Sequence, residues 1–173
     1  MRIVHIDLFS GIGGFAVALK DAGFEIDKSY HSDIEKYPLQ VYSKRFPESI
    51  PLGDVTKINW KELKDENEGK EIVITGGFPC QPHSVAGKRK ASEDERDLWS
   101  YCVESVRILQ PRFALFENVR GLLTSESGRF FSRCIADLAD IRYDAEWTVK
   151  SAASVGAPHR RERIWIVAYP TKL

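Results

Sequence analysis

The feature that most constrains this chain is an alternation: short apolar runs rich in β-branched residues are separated by longer stretches of helical periodicity. That layout belongs to a mainly parallel sheet covered by helices. It predicts strands over residues 3–7, 28–32, 71–75, 113–116, 145–149 and 163–168, with a further short strand before Gly53-Asp54. Helices are expected over residues 13–22, 36–45, 98–109 and 130–139. The last two strands follow one another with no helix between them, which predicts an antiparallel pair at one edge. The run from Lys61 to Lys70 is so charged that it reads as a solvated helix or loop face.

A chain of 173 residues is large enough to bury one core, so residues 1–173 are read as a single domain. Apolar residues at 43% and charged residues at 29% exclude an intrinsically disordered chain. Twenty-five basic residues balance twenty-five acidic ones, so the chain lacks the overall charge of an autonomous nucleic-acid binder. Three scattered cysteines, Cys80, Cys102 and Cys134, suit neither a disulfide framework nor a paired-cysteine zinc site; no metal is expected, and a reducing compartment such as the cytoplasm is. Cys102 and Cys134 fall inside helical patterns and read as packing residues. No apolar run approaches the ~20 residues of a membrane span, and Asp7 with the glycines after it interrupts the only stretch resembling a signal peptide, so a soluble protein without a membrane partner is expected.

In open α/β sheets, ligands bind outside the carboxyl ends of the strands. Four unusual segments are expected in loops there: 8–15, 33–36, 76–96 and 117–120. The first, Asp7-Leu8-Phe9-Ser10-Gly11-Ile12-Gly13-Gly14-Phe15-Ala16, is a glycine-rich turn leading into a helix, where the backbone can bend sharply and approach a ligand. Gly11, Gly13 and Ala16 satisfy a dinucleotide fingerprint, with Asp33 about 20 residues on. Read alone, the loop leaves open a dinucleotide, another adenosine cofactor, or a mere tight turn. Asp33 could bind ribose hydroxyls or take part in a helix capping box over Ser32-Asp33-Ile34-Glu35. Asp54, before Val55, could accept from an adenine amino group or simply make a Gly-Asp turn.

The segment Thr75-Gly76-Gly77-Phe78-Pro79-Cys80-Gln81-Pro82 carries the sharpest chemical signal. Two prolines bracket a cysteine after two glycines, which restricts the backbone around a presented side chain. Nearby Lys88, Arg89, Lys90 and Arg96 supply the positive charge that lowers a thiol pKa and makes the thiolate a nucleophile.

Phe9-Ser10-Gly11-Ile12-Gly13-Gly14, Gly77-Phe78-Pro79-Cys80-Gln81-Pro82, Glu117-Asn118-Val119 and Arg161-Glu162-Arg163 occur in the order and spacing seen in DNA (cytosine-5) methyltransferases. The resemblance runs from about residue 3 to about residue 168. It implies a Rossmann-like, S-adenosylmethionine-dependent methyltransferase fold and methyl transfer to C5 of cytosine in double-stranded DNA, with S-adenosylhomocysteine as product. By the same resemblance Cys80 matches the nucleophile that adds to C6, and Glu117 the acid that engages N3 and the exocyclic amine. Arg163 matches an arginine on the cytosine carbonyl oxygen, and Arg161 one that orders the site. Phe9, Gly11, Gly13, Gly14, Asp33, Ile34, Asp54, Val55 and Pro79 match cofactor-binding positions, with Phe9 against the adenine. Gln81, Ser84, Lys88, Arg89, Lys90 and Arg96 fall in a loop resembling the one that closes over flipped DNA. This sequence departs from the pattern at Asp33, where glutamate is usual, and at His159, where glutamine is usual.

Family members continue into a target-recognition region and a closing segment, and neither is expected within these residues. A second polypeptide supplying target recognition, self-association, or a truncated chain is then the expectation, and the resemblance implies enzymes of the restriction-modification kind. A nicotinamide-dependent oxidoreductase explains the glycine loop but not Pro79-Cys80-Gln81 or Glu117-Asn118-Val119. A noncatalytic remnant that binds cofactor or DNA is the other alternative.

Overall fold

A computed structural model of the chain describes residues 1–79 and 98–172. Seven strands form one sheet: β1 (Arg2–Leu8), β2 (Glu25–Ser32), β3 (Ile50–Gly53), β4 (Ile72–Gly76), β5 (Phe113–Val119), β6 (Tyr143–Lys150) and β7 (Arg163–Pro170). Their order across the sheet is β3-β2-β1-β4-β5-β7-β6. The first five run parallel, and β7 is antiparallel to both of its neighbours. The expected antiparallel pair is present, with β7 inserted between β5 and β6 so that β6 forms the edge.

Among the described residues the α-helices are α1 (Gly14–Asp21), α2 (Lys36–Arg45), α3 (Trp60–Asp65), α4 (Trp99–Leu109) and α5 (Arg129–Asp140). One face of the sheet carries most of the apolar core: Val4, Ile6 and Leu8 of β1, Phe116 of β5 and Ile166 of β7 pack with Trp99, Cys102 and Leu138 from α4 and α5. Cys102 and Cys134 lie buried in that cluster, as their helical spacing predicts. The opposite face has a small cluster of Ile3, Leu19 and Val73, beside buried polar groups at His5, Asp7 and Thr75. Thr75 donates from Oγ1 to Asp7 Oδ1 at 2.8 Å, and the same hydroxyl meets His5 Nε2 at 2.8 Å. That polar strip continues across His31, whose ring stacks on Tyr42 at 4.3 Å and whose Nδ1 lies 2.9 Å from Ser49 Oγ.

Three expectations are corrected. β5 extends through Val119, so Glu117 and Asn118 are strand residues rather than loop residues; pairing of Glu117 with Trp165 and of Asn118 with Ile164 carries the ladder past the apolar run. The charged run is not a wholly solvated face, because α3 turns Leu63 into the core and the buried Asn67 donates to the Tyr30 hydroxyl at 3.0 Å. No capping box forms over Ser32 to Glu35: the N-cap of α2 is Glu35, which makes no side-chain cap.

Candidate active site

The carboxyl ends of β1, β2, β3, β4 and β5 share one edge of the sheet, and the antiparallel run of β7 brings its first residue, Arg163, to the same edge opposite Val119. A cleft of about 500 Å³ opens there, within the range of small-molecule sites. Phe9, Asp33, Ile34, Asp54, Val55 and Pro79 all line it. So do Ser32, Glu35 and Gly77, which stood in the quoted segments without a ligand role, and Thr56 and Leu98, which no motif marked.

The loop after β1 reaches the cleft through backbone geometry. Phe9 and Gly11 each have a φ of 52°, a left-handed conformation that is uncommon for a phenylalanine. Ser10 N donates to Ser32 O at 3.0 Å, folding the loop onto β2. Asp33 then closes it: Oδ2 accepts from Gly11 N at 2.8 Å while Oδ1 accepts from Glu35 N at 2.9 Å. Each carboxylate oxygen therefore spends one lone pair on backbone and keeps the other for a ligand.

Gly11, Gly13 and Gly14 are not among the residues lining the cleft. Gly13 is required elsewhere: its φ is 87°, and a Cβ there would meet Phe46 Cε2 at 2.4 Å and Tyr42 Cε2 at 3.1 Å. It lets the start of α1 pack on α2. Gly14 has open space around it.

Asp54 makes the turn that was one of its two readings. Its Oδ1 accepts from Thr56 N at 3.0 Å and Thr56 Oγ1 at 2.9 Å, capping a 3-10 turn over Val55–Lys57. Those bonds, led by the Thr56 backbone N–H, hold its carboxyl below the ordinary range. An ionised Asp54 at the rim of the cleft is a fixed acceptor, so the turn reading and the acceptor reading are compatible.

Glu117 and Arg163 do not line the cleft; Arg163 Nε pairs with Glu117 Oε1 at 2.7 Å, and Arg163 Nη1 donates to Glu162 O at 2.9 Å. Burial pushes the Glu117 carboxyl up; Arg163 and Arg161 oppose this without cancelling it. Gly77 lies against the same carboxyl, since a Cβ there would stand 3.3 Å from Glu117 Oε2. Arg161 is exposed with a φ of 33°, and between the two arginines Glu162 accepts from Arg120 Nη1 at 2.8 Å. His159 is exposed. The predicted residues Cys80, Gln81, Ser84, Lys88, Arg89, Lys90 and Arg96 lie outside the described residues.

Among the described residues no group of three or more His, Cys, Asp or Glu side chains could hold a metal ion. No helix among them is long and apolar enough to cross a membrane.

The family model for C-5 cytosine-specific DNA methylase matches residues 3–173. The chain is 37% identical over 172 residues to the type II methyltransferase M.BsuFI of Bacillus subtilis, covering 98% of this chain and 40% of that protein. It is also 37% identical over 165 residues to the type II methyltransferase M.NgoBI of Neisseria gonorrhoeae, covering 95% and 50% respectively. Among solved structures, a mutant of Spodoptera frugiperda DNMT2 superposes with a TM-score of 0.80 at 26% identity, over 99% of this chain and 51% of that one. The Entamoeba histolytica methyltransferase EhMeth gives 0.78 at 25% identity, over 99% and 54%. The chain thus spans half or less of the length of these two curated relatives.

Proposed function

Because the chain belongs to the C-5 cytosine-specific DNA methylase family, we propose that it carries the cofactor-binding and bond-making part of a DNA (cytosine-5) methyltransferase. One observation carries the reading: the cleft and the Glu117–Arg163 pair meet at Gly77 to Pro79, the stretch that runs directly into Cys80.

The cleft's donor set fits S-adenosylmethionine. Phe9, Ile34, Val55, Pro79 and Leu98 offer apolar surface for an adenine, Asp33 has acceptor capacity for ribose hydroxyls, and Asp54 has it for an exocyclic amine. When bound, the cofactor supplies an electrophilic methyl group. Asp33, one methylene shorter than glutamate, stays in reach of the cleft because the loop after β1 is tied to its carboxylate.

C5 of cytosine is a weak nucleophile, so the protein has to activate the ring. The Cys80 thiolate forms a bond to C6, and the electron pair displaced from the C5–C6 double bond is delocalised towards N3. Glu117, whose carboxyl burial pushes up against the opposing arginines, donates a proton to N3 in its protonated form and so prevents anionic charge from building on the ring. C5 would then take the methyl carbon as the methyl–sulfonium bond breaks and its electron pair stays on sulfur, leaving S-adenosylhomocysteine. Loss of the C5 proton to a base, return of the N3 proton to Glu117 and departure of the Cys80 sulfur restore the double bond and the thiolate. Arg163 positions the Glu117 carboxyl through its Nε, and its guanidinium fork has further donors that would engage the ring carbonyl oxygen. Double-stranded DNA is the substrate, with Gln81, Ser84, Lys88, Arg89, Lys90 and Arg96 on its phosphates and the target base, and target choice comes from a further polypeptide segment.

Two measurements test this. Calorimetric titration should give binding of S-adenosylmethionine and none of NAD; the reverse pattern overturns the reading in favour of an oxidoreductase. DNA containing 5-fluorocytosine, whose fluorine blocks the final elimination, should give a denaturation-resistant adduct with cofactor present that Cys80→Ala abolishes.

A further inference from the structure

Asn118 follows Glu117 in β5 and has no part in the chemistry just described. Strand alternation points the two side chains to opposite faces, so Asn118 turns away from the carboxyl of Glu117 and is 2% exposed. Its partners fix its amide orientation. Nδ2 donates to the Phe78 carbonyl at 2.9 Å, and Oδ1 accepts from Val119 N at 2.8 Å. The flipped amide would set oxygen against oxygen and N–H against N–H.

Phe78 is 3% exposed, and its ring packs 5.0 Å from Trp99 and edge-on to Phe116 at 6.4 Å. The β4 ladder ends at Gly76, two residues earlier. Beyond that point the Phe78 carbonyl has left the sheet's hydrogen-bonding pattern, and a buried carbonyl needs a donor. Asn118 is that donor, reaching from the next strand. Phe78 is therefore held at two points, its ring by the core and its carbonyl by a strand residue, one position before Pro79 with its restricted φ.

We infer that Asn118 is a positioning residue for the nucleophile: by holding the Phe78 carbonyl it fixes the direction in which the chain leaves the sheet through Pro79 towards Cys80. The inference rests on reading Cys80 as the nucleophile and Glu117 as the acid. Two groups acting on opposite atoms of one ring, C6 and N3, have to be set relative to each other within a fraction of an ångström, a tolerance that rigid strands supply better than loops. Because Asn118 is covalently next to Glu117, a single backbone segment then references both.

The test needs neither DNA nor cofactor. Alkylation of Cys80 by iodoacetamide is followed by peptide mass spectrometry from about pH 6 to about pH 10, spanning the titration range of an ordinary or mildly activated thiol. Asn118→Ala and Asn118→Asp both remove the donor, and the second keeps an acceptor for Val119 N. Each should change the Cys80 alkylation rate about tenfold at fixed pH or displace the profile along the pH axis, as expected for one lost buried hydrogen bond. Leu138→Ala, a cavity in the core under α5, should lower the melting temperature and leave the Cys80 profile in place. Profiles for both Asn118 variants that overlay the parent, or a Leu138→Ala profile displaced as far as theirs, overturn the inference. If the Asn118 variants do not fold, side-chain amide exchange in the parent protein decides: Nδ2 protons of Asn118 slowed more than about tenfold relative to a free amide support the bond, and exchange at the free rate overturns it. A parent protein that forms no Cys80-dependent adduct with 5-fluorocytosine DNA counts against the methyltransferase reading alone, since the alkylation profile does not depend on turnover.

Discussion

Asp33 holds the glycine loop by its backbone: Gly11 N donates to Asp33 Oδ2 at 2.8 Å, so the residue read as a ribose ligand is also the clamp on the segment that carries Phe9. Replacement with asparagine keeps the size and loses one acceptor. Asp33→Asn should therefore weaken S-adenosylmethionine binding about tenfold or more and lower stability by about 1 kcal/mol, because a backbone N–H is left without its charged acceptor. Calorimetry and thermal melts read the two effects separately. A residue serving only the ribose would show the first effect without the second.

Glu117 and Arg163 give a prediction with a definite sign in pH. Burial raises the Glu117 carboxyl and the arginines hold it down, so Arg163→Gln should raise it further. A 13C NMR titration of Glu117 should then show its midpoint moving to higher pH in the variant. A group raised in the fold gives stability that is present below its unfolded value and lost as pH rises through its folded value, so the variant's melting temperature should fall towards alkaline pH. In turnover, methyl transfer should decline as pH rises through the same midpoint, and Glu117→Gln should lower it at least about a hundredfold at all pH values.

His5 and Asp7 shape the stability profile from opposite sides. Burial drives His5 down to about 3 and Asp7 up to about 8, the latter against the Thr75 and Tyr42 hydroxyls. His5 contributes stability that is present above its unfolded value of 6.5 and lost as pH falls towards 3. Asp7 contributes stability that is present below 3.8 and lost as pH rises towards 8. Between about 4 and about 6.5 the two slopes oppose each other, and above that window Asp7 acts alone. Denaturant melts should show stability falling between pH 6.5 and pH 8 by an amount on the order of 1 to 2 kcal/mol. Asp7→Asn, which keeps an acceptor for Thr75, should remove that fall.

The three glycines of the loop should not respond alike to alanine. Gly13→Ala forces a Cβ to 2.4 Å from a Phe46 ring carbon at a φ of 87°, and should cost about 2 kcal/mol or more. Gly14→Ala meets nothing within 4 Å at the first residue of α1, and should be neutral or stabilising by up to about 1 kcal/mol. Urea melts of both variants check the contrast.

Much of this fold was legible because apolar periodicity reports burial directly. β4 is buried at every position and α4 has a regular apolar stripe, and both lie within a residue or two of their predicted bounds. What escaped was structure held by polar contacts. β2 begins at Glu25, where alternating Glu25, Ile26 and Asp27 dilute the apolar signal, and β5 runs on through Glu117 and Asn118 because β7 pairs with it from far along the chain. In the cleft, Phe9, Asp33 and Pro79 stood in motifs, whereas Thr56 and Leu98 line it by position alone. The one internal signal for Asn118 was its place beside Glu117. The hydrogen bond to Phe78 links residues 40 apart and leaves no mark in local spacing.

The antiparallel insertion of β7 between β5 and β6 also has a bearing on how the protein is made. β1 to β5 can pair in the order in which they leave the ribosome, but Arg163 meets Glu117 only after the helix, the edge strand and the connection that precede it have been synthesised and β7 has slid between two strands already present. A nascent chain can thus form the cleft at the ends of β1 to β5 while Glu117 still lacks its arginine partner. The Glu117–Arg163 pair then forms only with the docking of a single strand.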